Sequence, residues 1–456
     1  MTDTVAAPAP ARRSNAVLAA FSGPCLPLAA FGVALPVTLP EYYATHVGIE
    51  IGLVGVVFMA VRLIDIFFDP MIGAAMDRTR TRFGRYRPWM AASTPVLMLA
   101  ALMVFVLVRP GAGPVYLFAW LLVLYLGFSV ATLGQLGWAS VLAPQYDQRS
   151  RVYGWWQAFN IIGVILILVL PAAIIELKLG DYVAGVHIMG WAIIIALPLA
   201  IGLAVTAVPE PVNAGAAPHG GLSAYLDLFK RGTVRRLLTA DLLLGIAPGI
   251  TGALLFFFFD QIKGYGRAEA SIFMLLYFVA GLVGAPIWTV LAGKVGKHKA
   301  LAVASLIFAS LYFVATLLPG GNFALTAAAM FIAGLPYAAG LLLLRAMMAD
   351  AGDEVRLETG VDRTALMFSI LSATTKIGHV VAVVPYIVLG WAFGFQAVPP
   401  PGGNSDLSLM MLQIFFVAVP AVLIAAAAWV LKGYPLTPAR HEQIRAGLAA
   451  RDGAAA

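Results

Sequence analysis

Long apolar runs, separated by short polar links, leave this chain one way to fold. They fall at about 15–40, 51–76, 88–109, 114–143, 152–175, 183–208, 236–259, 270–293, 300–318, 323–349, 364–395 and 407–431. A membrane-crossing helix needs about 20 apolar residues. In lipid, every backbone N–H and C=O must be paired inside the spanning element. The runs are continuously apolar and far longer than a barrel strand, so a spanning β-barrel is excluded. Composition agrees. Of 456 residues, 61% are hydrophobic and only 11% charged, with a mean hydropathy of +0.91. Soluble domains carry about 25% charge. These values exclude an ordinary soluble enzyme, a disordered chain and a disulfide-stapled secreted domain. The first run is too long for a signal-peptide core and has no clear small-residue cleavage site, so it counts as helix 1. The expected class is an all-α membrane protein with twelve transmembrane helices.

The placement of Lys and Arg sets the expected orientation. With the N-terminus inside, only Arg109, Lys178, Lys263 and Arg267 fall in outer links, and Arg62 and Lys376 fall within apolar runs. All others of the 29 lie in or beside inner links. Such asymmetry marks the cytoplasmic side. Both termini are therefore expected in the cytoplasm, with the chain in a cell inner membrane and lipid as its surroundings. The net charge of +7 belongs to this pattern and not to a nucleic-acid footprint. The single cysteine, Cys25, lies in the first run and reads as a packing residue.

The chain also divides in two. The longest inner link, 209–232, separates a six-helix bundle at 15–208 from another at 233–433, with tails at 1–14 and 434–456. The links after helices 2 and 8, DRTRTRFGRYRPW and GKVGKHKA, are both basic and occupy equivalent places in the two halves. Paired halves with a site at their interface resemble the major facilitator arrangement of transporters. Nothing resembles a selectivity-filter loop.

Ionisable residues within a spanning helix are costly and point to function. Helix 2 reads VRLIDIFFDPMIG. Arg62, Asp65 and Asp69, at i, i+3 and i+7, share one face. Two carboxylates one turn apart repel each other and recruit a cation or a proton. Such a pair suits coupling, because it must be neutralised before it crosses a hydrophobic barrier. A purely structural role, with Arg62 neutralising Asp65, is the competing reading. Lys376, deep in helix 11, is the natural partner of the two aspartates from the other half. His379 follows one turn on, and a lone helical His is more often a packing residue than a proton carrier.

Polar and aromatic side chains of helices 4 and 5 are candidates for a substrate path: Tyr125, Gln135, Trp138, Trp156 and Asn160, with Thr132 supporting the cation site. Aromatic faces stack on sugar rings and amides bond hydroxyls, although Trp and Tyr also populate membrane interfaces. Asp77, Arg85 and Arg87 after helix 2, and Asp350, Asp353, Glu358 and Arg363 after helix 10, read as a cytoplasmic gate of ion pairs between the halves. The second group is expected in a loop, and it lacks EF-hand spacing. No HExxH, GxSxG, nucleotide loop or His/Cys cluster appears, so neither catalysis nor a structural metal nor a cofactor is expected.

The helix 2 block RLIDIFFDPMIGAAMDRTRTRFGRYRPW, the stretch ADAGDEVRLETGVDR, Lys376 and the tail YPLTPARHEQIRAGL resemble the glycoside–pentoside–hexuronide:cation symporters, the melibiose-permease group of the major facilitator superfamily. The resemblance covers nearly the whole chain. It implies twelve helices in two bundles, alternating access, a small-molecule substrate and proton or sodium as the coupling ion. It implies that Asp65 and Asp69 form the cation site, with Lys376 opposite. The pattern departs at Phe68, where the family has an Asn ligand, and at Gly134, where it has an aspartate. The charged pair of the family's helix 1 is replaced by PCLPLAAFGVALP. These departures leave open a second substrate class, amphipathic or lipid-like, such as a lysophospholipid or a glycoside of an apolar aglycone. A monomer is expected.

Overall fold

The computed structural model describes residues 14–142, 146–210, 227–361 and 363–454. The first 13 residues, most of the central linker (211–226) and the Asp77 side chain lie outside that description. The described chain is helical apart from short links and a Thr81–Gly84 bridge. Eleven helical spans are long and apolar enough to cross a membrane, and one further helix carries the apolar segment Trp155–Pro171.

The first half contains α1 (Asn15–Val47), α2 (Ile51–Arg78), α3 (Arg87–Val106), α4 (Pro114–Leu142), α5 (Tyr146–Glu176) and α6 (Tyr182–Ala207). The second contains α7 (Gly232–Gln261), α8 (Arg267–Val295), α9 (Lys297–Leu317), α10 in two segments (Phe323–Gly334 and Tyr337–Thr359), α11 in two segments (Thr364–Val381 and Val384–Phe393) and α12 (Asp406–Val430). A last helix, α13 (Pro438–Ala454), buries Ile444 and Leu448 near the end of α10. The start of α1 and the helix α13 lie at one end of the bundle, here the tail end; the opposite one is the far end.

Three elements differ from the sequence expectation. Helix α1 runs past Pro40 to Val47, with a π-helical turn at Ala34–Thr38, which holds Pro36, and a second at Tyr43–Val47. It stops only at Gly48, at φ 89°. Helix α10 continues to Thr359, so Asp350, Asp353 and Glu358 sit on a helix end and not in a loop. The run from Ala346 to Thr359 has no proline, its one glycine, Gly352, is packed within the helix, and the helix ends at Gly360, which takes the left-handed φ of 76°. Helix α11 is interrupted at Ala382–Val383, just before Pro385, whose ring nitrogen cannot continue the ladder.

The buried side chains form two clusters. One runs through the first half and continues into the far-end portions of α7, α8, α11 and α12. The other, around Leu237, Leu301, Met347 and Met367, belongs to the tail end of the second half. The halves therefore share one core at the far end. That junction is close: a Cβ added to Gly390 of α11 would stand 2.9 Å from the backbone nitrogen of Gly52 of α2.

Candidate functional site

Near the middle of α2, Asp65 and Asp69 lie one turn apart on the face turned to α4 and α11. The Lys376 ammonium reaches across from the second half. It stands 2.9 Å from Asp65 Oδ2 and also pairs with Asp69. Ser129 of α4 closes the group, donating to Asp65 Oδ1 at 2.6 Å and standing 3.2 Å from Lys376 Nζ. Asp65 is 4% exposed, whereas 29% of the Lys376 side chain remains accessible. The cluster is thus sheltered on the α2–α4 side and reachable on the α11 side. The Oδ1 of Asp69 is buried with no hydrogen-bond partner among the described residues. A buried carboxylate oxygen left unpaired is costly, and it supplies an acceptor for an arriving cation or proton.

Arg62 does not neutralise Asp65. Its Nε donates to the Tyr125 hydroxyl at 3.1 Å, with the guanidinium 5.6 Å from that ring's centroid. Tyr125 is occupied by this contact. Thr132 spends its hydroxyl on the carbonyls of Phe128 and Ser129 in its own helix. His379 is exposed, one turn beyond Lys376. Gln135 and Trp138 are buried by packing. The Gln135 amide donates to the Phe21 carbonyl at 3.1 Å and contacts Cys25 Sγ at 3.2 Å. Trp138 meets Phe21 edge to face, its indole N–H 3.4 Å from the Pro209 carbonyl. Trp156 and Asn160 are half-buried on α5.

The gate candidates are held within their own halves. The Glu210 carboxylate accepts from the backbone N–H groups of Arg85, Tyr86 and Arg87 at 2.6–3.1 Å, an anion seated at the start of α3. Asp350 pairs with Lys297 at 2.6 Å, His441 of α13 reaches Asp353 at 3.0 Å, and Glu358 pairs with Arg231. Arg363 immediately precedes α11 and makes no side-chain bond to its first turn among the described residues.

Ser129 and Glu41 escaped the sequence reading, and Asp241, at the start of helix 7, reads from sequence only as an interfacial or capping residue. Ser129 is one hydroxyl in an apolar helix, and only its shared face with Tyr125 and Thr132 hints at it. Asp241 of α7 is tied to α11 by Thr374, which donates at 2.6 Å. At the far end, Glu41 of α1 is fully buried and pairs with Arg267 of α8. Thr45 donates to Glu41 at 2.9 Å, Tyr182 donates to its other oxygen, and the Arg267 guanidinium lies 4.5 Å from the centroid of the Tyr182 ring. Two polar bridges between the halves are thus seen, one at mid-depth through Lys376 and one at the far end through Arg267.

The chain matches, over residues 20–438, the family described as MFS/sugar transport protein. The lactose permease of Lactobacillus delbrueckii subsp. bulgaricus is 23% identical over 84% of this chain, which spans 64% of that permease. The glucuronide carrier protein homolog of Escherichia coli (strain K12) is 23% identical, with 89% of each chain covered. The raffinose carrier protein of Pediococcus pentosaceus is 24% identical over 87% of this chain and 64% of its own. Among solved structures, the nucleoside transporter NupG superposes with a TM-score of 0.65 at 16% identity, covering 92% of this chain and 100% of its own. A bacterial homologue of the human peptide transporters PepT1 and PepT2 reaches 0.66 at 13% identity, over 92% and 97%. These structures share the fold.

Proposed function

The chain belongs to the MFS/sugar transport protein family, a family of membrane transporters and not of enzymes, and from that premise we propose that it is a cation-coupled sugar or glycoside symporter working by alternating access in the inner membrane. The observation that carries this reading is the pairing of one lysine from the second half with two aspartates from the first. Three charges at that junction leave one negative charge uncompensated, and the unpaired Asp69 oxygen points to where the deficit is met.

In this reading, proton or sodium binds Asp65 and Asp69, with the Ser129 hydroxyl as a further oxygen. Lys376 is then released, the substrate enters between the halves, and the two bundles rock. The tail end is cytoplasmic, and the present conformation faces inward. The far-end core and the Glu41–Arg267 pair keep the outer side shut, while the tail-end clusters hold within each half. When the halves rock the other way, Asp77, Arg85, Arg87, Asp350, Asp353, Glu358 and Arg363 close the inner side. A second reading, an amphipathic solute, draws on Phe68, which sits beside Asp69 with 38% of its surface exposed.

The test is uptake into proteoliposomes of lactose, raffinose, a phenyl glucuronide and a lysophospholipid, each under an imposed sodium or proton gradient. Asp69→Asn is expected to abolish uphill accumulation while leaving solute exchange measurable. Undiminished accumulation in that variant would overturn the coupling role. Gradient-driven uptake of the lysophospholipid alone would select the second reading.

A further inference from the structure

At the tail end, where α12 finishes beside the start of α7, Arg235, Arg236, Thr239, Trp429, Val430 and Lys432 line a cleft of roughly 410 Å3. The cations around it are in different situations. Arg236 is anchored, its guanidinium donating to the carbonyls of Lys432 and Gly433 at 3.1 and 2.6 Å. Arg231, one turn before Arg235, is neutralised by Glu358. The side chains of Arg235 and Lys432 are exposed and have neither an ion pair nor a hydrogen bond among the described residues. Among the described residues, no acidic side chain lines the cleft. Thr239 lies one turn deeper on the same face of α7 as Arg235. Trp429 is 75% exposed on α12, a turn before Lys432.

This layering follows the cross-section of a lipid. Two free cations and an anchored one stand at the rim, a hydroxyl sits one turn deeper, and an exposed indole and a valine form the apolar wall. Trp residues settle at the headgroup level, and basic pockets between helix ends hold anionic headgroups. A soluble anion would use the rim alone, whereas a lipid would also meet Trp429 and Val430 below it. We propose that the cleft between α7 and α12 is a binding site for one anionic phospholipid, its phosphate held by Arg235, Arg236 and Lys432 and its first acyl segment laid along Trp429.

The experiment titrates purified full-length protein in neutral detergent with phosphatidylglycerol, with phosphatidylcholine and with soluble glycerol phosphate. Bound lipid is counted by native mass spectrometry, and the unfolding midpoint is followed in parallel. Phosphatidylglycerol is expected to bind one tight equivalent and to raise the midpoint. Arg235→Gln with Lys432→Gln should weaken that binding roughly thirtyfold, at about 1 kcal/mol per cation removed. Lys432→Gln alone changes only an exposed turn and should cost roughly fivefold, which guards against a double variant that fails to fold. Lys294→Gln with Lys299→Gln, an equal loss of charge elsewhere, should leave the tight equivalent intact. Equal binding of phosphatidylcholine, equal losses in both double variants, or a full effect from glycerol phosphate would each overturn the proposal.

Discussion

Asp65, Asp69 and Lys376 were legible because ionised side chains have no cheap place in an apolar helix, so their presence stood out against every neighbour. Ser129 carried no such signal, since a serine in a spanning helix normally bonds back to its own backbone. Its contact with Asp65 depends on how α4 packs against α2, which spacing along one helix does not fix. Arg62 shows the converse: its spacing suggested a bond to Asp65, yet Tyr125 from α4 takes it. Gln135 and Trp138 looked like lining residues because polar and aromatic chemistry was all that could be read. Their contacts with Phe21 and Cys25 of α1 depend on how α4 packs in the bundle, which the order of residues along one helix does not fix. Ser129→Ala should leave Asp65 with Lys376 as its remaining partner at the junction. A hydrogen bond to a charged group contributes about 1.5–3 kcal/mol, so, with sodium as the coupling ion and the Ser129 hydroxyl as one of its ligands, the apparent sodium affinity is expected to fall at least tenfold. Solute uptake titrated against cation concentration reads this directly, and an unchanged half-saturation would remove Ser129 from the site.

Helix existence was legible throughout, whereas helix interruptions were not. A window of apolar residues reads the same whether the helix is straight, widened by a π turn or broken. The wide turns in α1 and the break in α11 lie near prolines, but other prolines, such as Pro248 in α7 and Pro286 in α8, sit inside unbroken helices. Neighbouring elements decide which proline breaks its helix. The acids of α10 were misplaced into a loop for a related reason: charge marked the end of the apolar span, and the helix outlasts the span. The α2–α11 junction tests how far packing at one element governs the cycle. Gly390→Val would push a side chain into the backbone at Gly52, and overpacking of this kind costs about 1–3 kcal/mol. A cysteine placed at the buried Val37 position should then become about tenfold more reactive to an impermeant thiol reagent. Protection equal to that of the parent would show that the far end tolerates the wedge.

The two-bundle plan was legible from the long central link and the paired basic links, since chain length and lipid thickness permit little else. The conformation was not, because alternative tilts of the same bundles satisfy the same pattern. It is carried by contacts between residues more than 200 positions apart, such as Glu41 with Arg267. Removing one partner of a buried pair costs about 3–5 kcal/mol, and of an exposed pair about 1. With 27% of the Arg267 side chain exposed, Glu41→Gln should favour the outward state at least fivefold, read by the same cysteine. No gain in labelling would show that the apolar core alone holds the far end. The interruption in α11 bears on this balance. Lys376 sits on one segment, and the residues that seal against α2 sit on the other. The two can move together only as far as the joint at Ala382–Val383 transmits torque. In the proposed cycle, a stiff joint would make every ion drag one solute with it; a loose joint would let the first segment slip, so that ions return down their gradient empty-handed. The stoichiometry of such a carrier, and the steepest solute gradient it can sustain, would then be set by the stiffness of two residues outside the ion site.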